Sequence, residues 1–391
     1  VSVLTSTSSK TVEHLSYQEL DILHSLRGFC AFYVVIFHAK FILWSGGNQY
    51  LQMHPRATWQ ILDYILFGLD MFSAAGYEMV IFFFTLSGFF IRYAQLRKHR
   101  RPIAFYINRI VRIYPPYLFS VLLACGVLLA LGILAPEALT GAPERELNPA
   151  LQEARQQLLN FHLSDLLLVV GFLKNNEFYT GYNEVYWSLL PEALFYLGVP
   201  LFFWRIKWYY IISVLIYVFN LFNSSLVIDN AIVNYMLTYN FYFAIGVALY
   251  DLVIFTEWLR WVRRVSSKLL FVVAVMLFGL MLVAAVTKLK PLSGTLAAIL
   301  AFLSISSLLA GKVSPKNWLV RATHSIGIYS FSLYLYHFPL LILCYAGLVW
   351  LTGDLVIYAR YYWLAVPLVT MLSYALYLVT ERASVNYFRK V

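Results

Sequence analysis

Ten stretches of this sequence stay apolar for long enough to cross a lipid bilayer, at about 20 to 43, 78 to 97, 113 to 135, 185 to 205, 208 to 222, 231 to 256, 269 to 287, 294 to 311, 325 to 351 and 360 to 381. A helix of ~20 apolar residues matches the hydrocarbon thickness. Inside lipid the backbone must satisfy its own hydrogen bonds, which leaves helices or a closed barrel, and runs of this length select helices. The expected fold is all-α: a polytopic integral membrane protein with about ten transmembrane helices. Composition agrees, with 61% hydrophobic and only 12% charged residues, about half the roughly 25% charged content of a soluble domain. The mean hydropathy is +0.71. The fifth and eighth runs are short, which implies tilt or a break.

The distribution of Lys and Arg orients the chain, because these residues accumulate in cytoplasmic loops. The segment from Arg92 to Arg112 holds Arg92, Arg97, Lys98, Arg100, Arg101, Arg109 and Arg112, and later bases at Arg260, Arg263, Arg264, Lys312, Lys316 and Arg382 share its parity. Both termini are therefore expected in the cytoplasm. Residues 1 to 19 read as a polar cytoplasmic tail without the pattern of a secretory signal, and 20 to 391 as one membrane domain. Its long loop, 136 to 184, is expected outside; within it Leu166 to Leu173 is too brief to span and reads as interfacial or re-entrant. The net charge of +10 is accounted for by topology and lipid headgroups, with no nucleic acid required. Cys30, Cys125 and Cys344 lie in apolar runs and read as small hydrophobes; no metal site is expected.

Ionisable groups inside spans are expensive, so each needs a partner, a wet cavity or a task. Arg27 and His38 in the first span are eleven positions apart, which puts them ~20° from each other on one helical face and ~16 Å apart along the axis. Two readings fit: a functional pair, or an arginine snorkelling to the headgroups with a histidine bonded to a neighbouring helix. Glu192 in the fourth span has a depth similar to that of His38, where a carboxylate could orient an imidazole, or it is an acid paired structurally with some other buried donor. Arg109 and Arg112 are adjacent on a helical surface and suit phosphates, or serve as positive-inside anchors. Pro115 and Pro116 suggest a kinked start to the third span. Tyr334, Tyr336 and His337 lie in the ninth span beside Pro339, and His337 on its own reads more readily as a packing residue.

Six motifs in order then resemble the membrane acyltransferase-3 family, the bacterial O-acyltransferases of surface glycans and other hydroxyl-bearing acceptors. LHSLRGFCAFYVVIFH at 23 to 38 resembles its arginine, ten residues, histidine hallmark. FFFTLSGFFI at 82 to 91, FYINRIVRIYPPYL at 105 to 118, YWSLLPEALFYL at 186 to 197, YSFSLYLYHFPLL at 329 to 341 and ERASVNYF at 381 to 388 follow. Asn108 stands where many relatives have another arginine, and Pro191 where a small or acidic residue is common. The likeness is to the stand-alone form, without a fused esterase-like domain.

The resemblance implies a multi-pass protein of the bacterial inner membrane that moves an acyl group, acetyl in the usual case, from acetyl-CoA to a hydroxyl of a glycan or lipid-linked sugar. Arg27, Arg109 and Arg112 become candidates for the CoA phosphates. His38 becomes the general base or a transient acyl carrier, with Glu192 orienting it. Ser188, Tyr334, Tyr336 and His337 are supporting candidates. The alternative from another class is a secondary transporter with midplane charges, which would show related halves; none is visible. The sequence leaves the acceptor, the acyl chain length and the oligomeric state open.

Overall fold

The structure, a computed structural model, describes residues 15–44, 55–98, 102–139, 147–173, 182–222, 231–353 and 362–384. Arg100, Arg101, most of the polar tail and the end of the ERASVNYF motif lie outside the described residues, as do the side chains of Arg97 and Lys98. Among the described residues the secondary structure is helical throughout. The ten expected runs correspond to α1 (His24–Leu43), α2 (Gly76–Lys98), α3 (Pro102–Leu134), α4 (Leu189–Trp204), α5 (Ile206–Phe222), α6 (Asn240–Phe255), α7 (Ser267–Val286), α8 (Lys290–Leu309), α9 (Ser330–Thr352) and α10 (Ala365–Val379). Among the described residues eight stretches are long and apolar enough to cross a membrane, and α5 is a shorter apolar helix. α10, of 15 residues, would reach only ~23 Å as a straight helix. The chain is an all-α polytopic membrane protein.

Several boundaries moved for local reasons. α3 starts at Pro102, a residue suited to a first turn because its missing N–H would be unpaired there anyway. It runs on through Pro115 and Pro116, so Arg109 and Arg112 sit on a helix and not in a loop. α4 follows a 3-10 turn, Glu184–Ser188, and carries Pro191 in its first turn. The ninth run is split into Trp318–Gly327 and α9. Among the described residues, helices without a counterpart among the apolar runs include Ile61–Phe72, interrupted in hydropathy by Asp63 and Asp70, the amphipathic Leu147–Leu159 and the short Trp258–Arg264. Within the long loop, the apolar run seen in the sequence is the six-residue helix Asp165–Val170, too short to span.

α1, α2 and α9 form the middle of the bundle. α1 packs on α2, on α9 and on Trp318–Gly327; α2 packs on α6 and α8; α3 and α10 pack on α9. Two glycine pairs permit the closest crossings. Gly88 of α2 lies against the Phe243 carbonyl while Gly246 of α6 lies against the Thr85 carbonyl, and Gly28 and Gly327 are likewise pressed against the backbone at Thr323 and His24. Small residues that let backbones approach are the usual means of helix association in lipid. α7 is largely lipid-facing, with Leu269, Phe271, Met276 and Val283 exposed.

Arg92, assigned by the sequence to a basic loop, lies inside α2 and forms a bidentate ion pair with Asp251 of α6 at 2.7 and 3.0 Å. Tyr210 of α5 donates to the same carboxylate at 2.7 Å, and the guanidinium stacks over Phe203 at 5.1 Å. The pair thus fastens three helices at one end of the bundle. Arg92→Met leaves Asp251 without its counter-charge, bonded among the described residues only by Tyr210, and should destabilise the fold by about 3 kcal/mol, whereas Arg92→Met with Asp251→Leu should recover most of the loss. Thermal midpoints of the detergent-purified variants check this; equal losses in the single and double variants would show that the ion pair is not the source.

Candidate active site

A cavity of about 860 Å³, counted to its open mouth, is enclosed by α1, α2, α3, α4 and α9. Arg27, Arg109, Arg112, Ser188, Glu192 and Tyr334, six of the residues singled out in the sequence, all line it. They come from α1, α3, α4 with the 3-10 turn before it, and α9. The three guanidiniums face a cavity whose lining includes one carboxylate, Glu192, so the site carries an excess of positive charge suited to an anionic ligand. The Arg109 guanidinium packs between the rings of Phe105 and Tyr196, at 5.6 and 5.5 Å. Its Nε is buried without a hydrogen-bond partner, a donor that a phosphate or carboxylate oxygen would satisfy.

Glu192 was expected beside His38. Instead it accepts hydrogen bonds from Tyr196 Oη and from Ser87 Oγ, the latter at 3.3 Å. Ser87 and Tyr196 hydroxyls are 3.1 Å apart, which closes a triangle between α2 and α4. Depth in the bilayer gives no information about rotation around a helix axis, and the first turn of α4 directs Glu192 toward α2. Tyr196 was missed by sequence reasoning although its position, four residues after Glu192, puts the two on one helical face. Ser87 was inside a quoted motif but had no feature to set it apart.

The partner of His38 is His337. His38 Nδ1 lies 2.9 Å from His337 Nε2, and the rings are 5.1 Å apart at 31°. His337 Nδ1 in turn lies 3.0 Å from the Leu333 carbonyl. Phe37 and Phe338 flank the His38 ring, each with a centroid 5.1 Å away. α1 is continuous from Arg27 to His38, so the two stand ~16 Å apart along one helix. Tyr334 connects the two ends: it lines the cavity, its ring is 6.1 Å from His337, and its hydroxyl meets Ser188 Oγ at 2.8 Å and the Val185 carbonyl at 3.0 Å.

Tyr336 points elsewhere. Its hydroxyl donates to Thr380 at 2.8 Å and to the Pro116 carbonyl at 3.3 Å, joining α9 to α3 and to the end of α10. Pro339 leaves the Leu335 carbonyl without its helical donor, and Ser120 Oγ of α3 supplies one at 2.9 Å. The helix carrying His337 is thereby held to α3 at its proline. The three cysteines are free thiols, and among the described residues no group of three His, Cys, Asp or Glu side chains could hold a metal.

A helical membrane domain with a cationic cavity and, next to its lining residue Tyr334, a hydrogen-bonded histidine pair defines a class: a multi-pass protein that handles an anionic ligand close to acid–base groups. The acyltransferase domain family matches residues 20–378, and the chain belongs to this membrane acyltransferase-3 family. It is a membrane acyltransferase, and the secondary-transporter alternative gives way to that assignment. Comparison with curated proteins and with solved structures found no match.

Proposed function

We propose that this acyltransferase takes an acetyl group from cytoplasmic acetyl-CoA and passes it to a hydroxyl of a glycan or lipid-linked sugar at the bacterial inner membrane, with His38 as general base. The observation that carries this reading is the convergence of Arg27, Arg109 and Arg112 on one cavity. A CoA thioester ends in phosphates at one extremity and a reactive carbonyl at the other, separated by a pantetheine arm on the order of 15 to 20 Å. The ~16 Å between Arg27 and His38 is of that length. Phosphates held by the three guanidiniums would place the thioester near Tyr334 and the histidine pair. Tyr334 and Ser188 line the cavity, and either hydroxyl, on turning from the Val185 carbonyl to which both now donate, could donate to the oxygen that becomes negative as the carbonyl is attacked. Glu192, bonded to Ser87 and Tyr196, holds the wall on which Arg109 packs and so has a structural share in donor binding.

The positive-inside pattern puts the arginine end in the cytoplasm, where acetyl-CoA is made, and the histidine end toward the outer half of the bilayer. The test is transfer of labelled acetyl from acetyl-CoA by the purified protein, together with equilibrium binding. Arg109→Gln and Arg112→Gln should each weaken acetyl-CoA binding by about 10- to 100-fold, the value of losing a charge-assisted hydrogen bond, with thermal midpoints close to wild type. Unchanged affinity in both variants would return the two arginines to a topological role.

A further inference from the structure

We propose that His337 is a positioning residue that fixes the tautomer of His38, so that Nε2 of His38 is the atom that takes the acceptor's proton. The inference rests on the proposed reaction and specifies its base down to the atom. It begins at the Leu333 carbonyl, which can only accept. His337 Nδ1, 3.0 Å from that oxygen, must therefore carry a hydrogen. His337 is fully buried and among the described residues no carboxylate is bonded to it, so it stays neutral; its one hydrogen is on Nδ1 and Nε2 has a lone pair. That lone pair faces His38 Nδ1 at 2.9 Å. His38 Nδ1 must then be the donor, and in the neutral ring Nε2 of His38 is left bare.

Packing decides which of the two rings reacts. His337 is wholly buried, whereas His38 keeps part of its surface open. The free edge of the pair thus belongs to His38. Phe37 and Phe338 hold its ring, and His337 is held by Leu333 on a helix that Ser120 ties to α3. The chain of donors runs one way, from His38 to His337 to the backbone, and ends on an oxygen that cannot reverse it.

In the reaction, Nε2 of His38 accepts the hydroxyl proton as the hydroxyl oxygen bonds to the acyl carbon. The carbon–sulfur bond breaks with its electron pair on sulfur, and the proton then passes from Nε2 to that thiolate. Ester and CoA thiol leave, and His38 regains its starting tautomer. A hydrogen on Nε2 in the resting enzyme would block the first step.

The experiment compares wild type, His337→Gln and His337→Phe as full-length protein in lipid nanodiscs. Glutamine can put an oxygen where His337 Nε2 was; phenylalanine keeps the volume and offers no acceptor. Nitrogen NMR of labelled histidine, with the His38 signals identified by their loss in His38→Ala, should show Nε2 bare and Nδ1 protonated in wild type and in His337→Gln. In His337→Phe the two tautomers should mix, kcat should fall about 100-fold, within the range of general-base effects, and KM for acetyl-CoA should hold. His337→Gln should restore kcat to within about tenfold of wild type. A protonated Nε2 in wild type, or His337→Phe with unchanged tautomer and kcat, would overturn the proposal. If wild type failed to use acetyl-CoA while its spectrum showed Nε2 bare, the donor reading would fall and the tautomer assignment would stand.

Discussion

His38→Ala should lose acetyl transfer by a factor of about 10³, in the middle of the range for removal of a general base, while acetyl-CoA binding stays within about threefold of wild type. The separation of the two effects follows from the distance along α1: the arginines that would hold the phosphates are ~16 Å from the imidazole, and His38 is not among the residues lining their cavity. His38→Gln is the companion variant, because it preserves a polar side chain between Phe37 and Phe338 and guards against loss through misfolding. Labelled transfer and equilibrium binding are measured on the same preparations. Normal turnover in either variant would remove His38 from the chemistry. Loss of binding in both, with turnover falling only in proportion, would make it a donor-site residue instead.

The parts of the site that were legible in the sequence are those that periodicity and depth determine. Arg27 and His38 share a stripe of one unbroken helix, and that much follows from eleven residues at 100° each. Arg109 and Arg112 are neighbours wherever α3 begins. What the sequence did not reveal is rotation and pairing between helices. Glu192 and His38 are at similar depth, yet Glu192 turns to Ser87 and Tyr196, while His38 pairs with a residue 299 positions away. His337 looked like a packing residue because a lone histidine beside a proline has no local signature of its role. Its meaning comes from Leu333 on one side and His38 on the other.

The same limit applies to the fold. Hydropathy locates spans because the cost of exposing polar groups to lipid is large and local. It misses Ile61–Phe72, whose Asp63 and Asp70 are buried while Ile61, Leu62 and Ile65 are exposed; the polar face turns inward, opposite to the pattern of a soluble helix. Leu147–Leu159 did carry a signal, with Leu147, Leu151 and Ala154 buried at helical spacing, but its charged residues hide it from a search for apolar runs. The Arg92–Asp251 pair was hidden by the opposite error, since a base near a span end looks like a loop residue.

The largest effect on folding should come from Gly246→Leu, with Gly88→Val close behind. A Cβ at either position would run into a backbone carbonyl, that of Thr85 facing Gly246 and that of Phe243 facing Gly88. Backbone cannot rotate out of the way as a side chain can, so α2 and α6 must move apart. Overpacking at such a site should cost about 3 kcal/mol or more. The damage would reach the candidate active site, because Ser87, next to Gly88, bonds Glu192, and Phe84 on the same helix stacks on Phe243 at 4.6 Å. Acetyl-CoA binding should therefore fall together with the thermal midpoint, unlike the arginine variants, where binding alone changes. Gly126 of α3 supplies the control: a Cβ there meets nothing within 4 Å, and Gly126→Ala should be neutral or stabilising by up to about 1 kcal/mol. If Gly246→Leu and Gly126→Ala had equal midpoints, the close crossing of α2 and α6 would not be what holds the cavity wall in place.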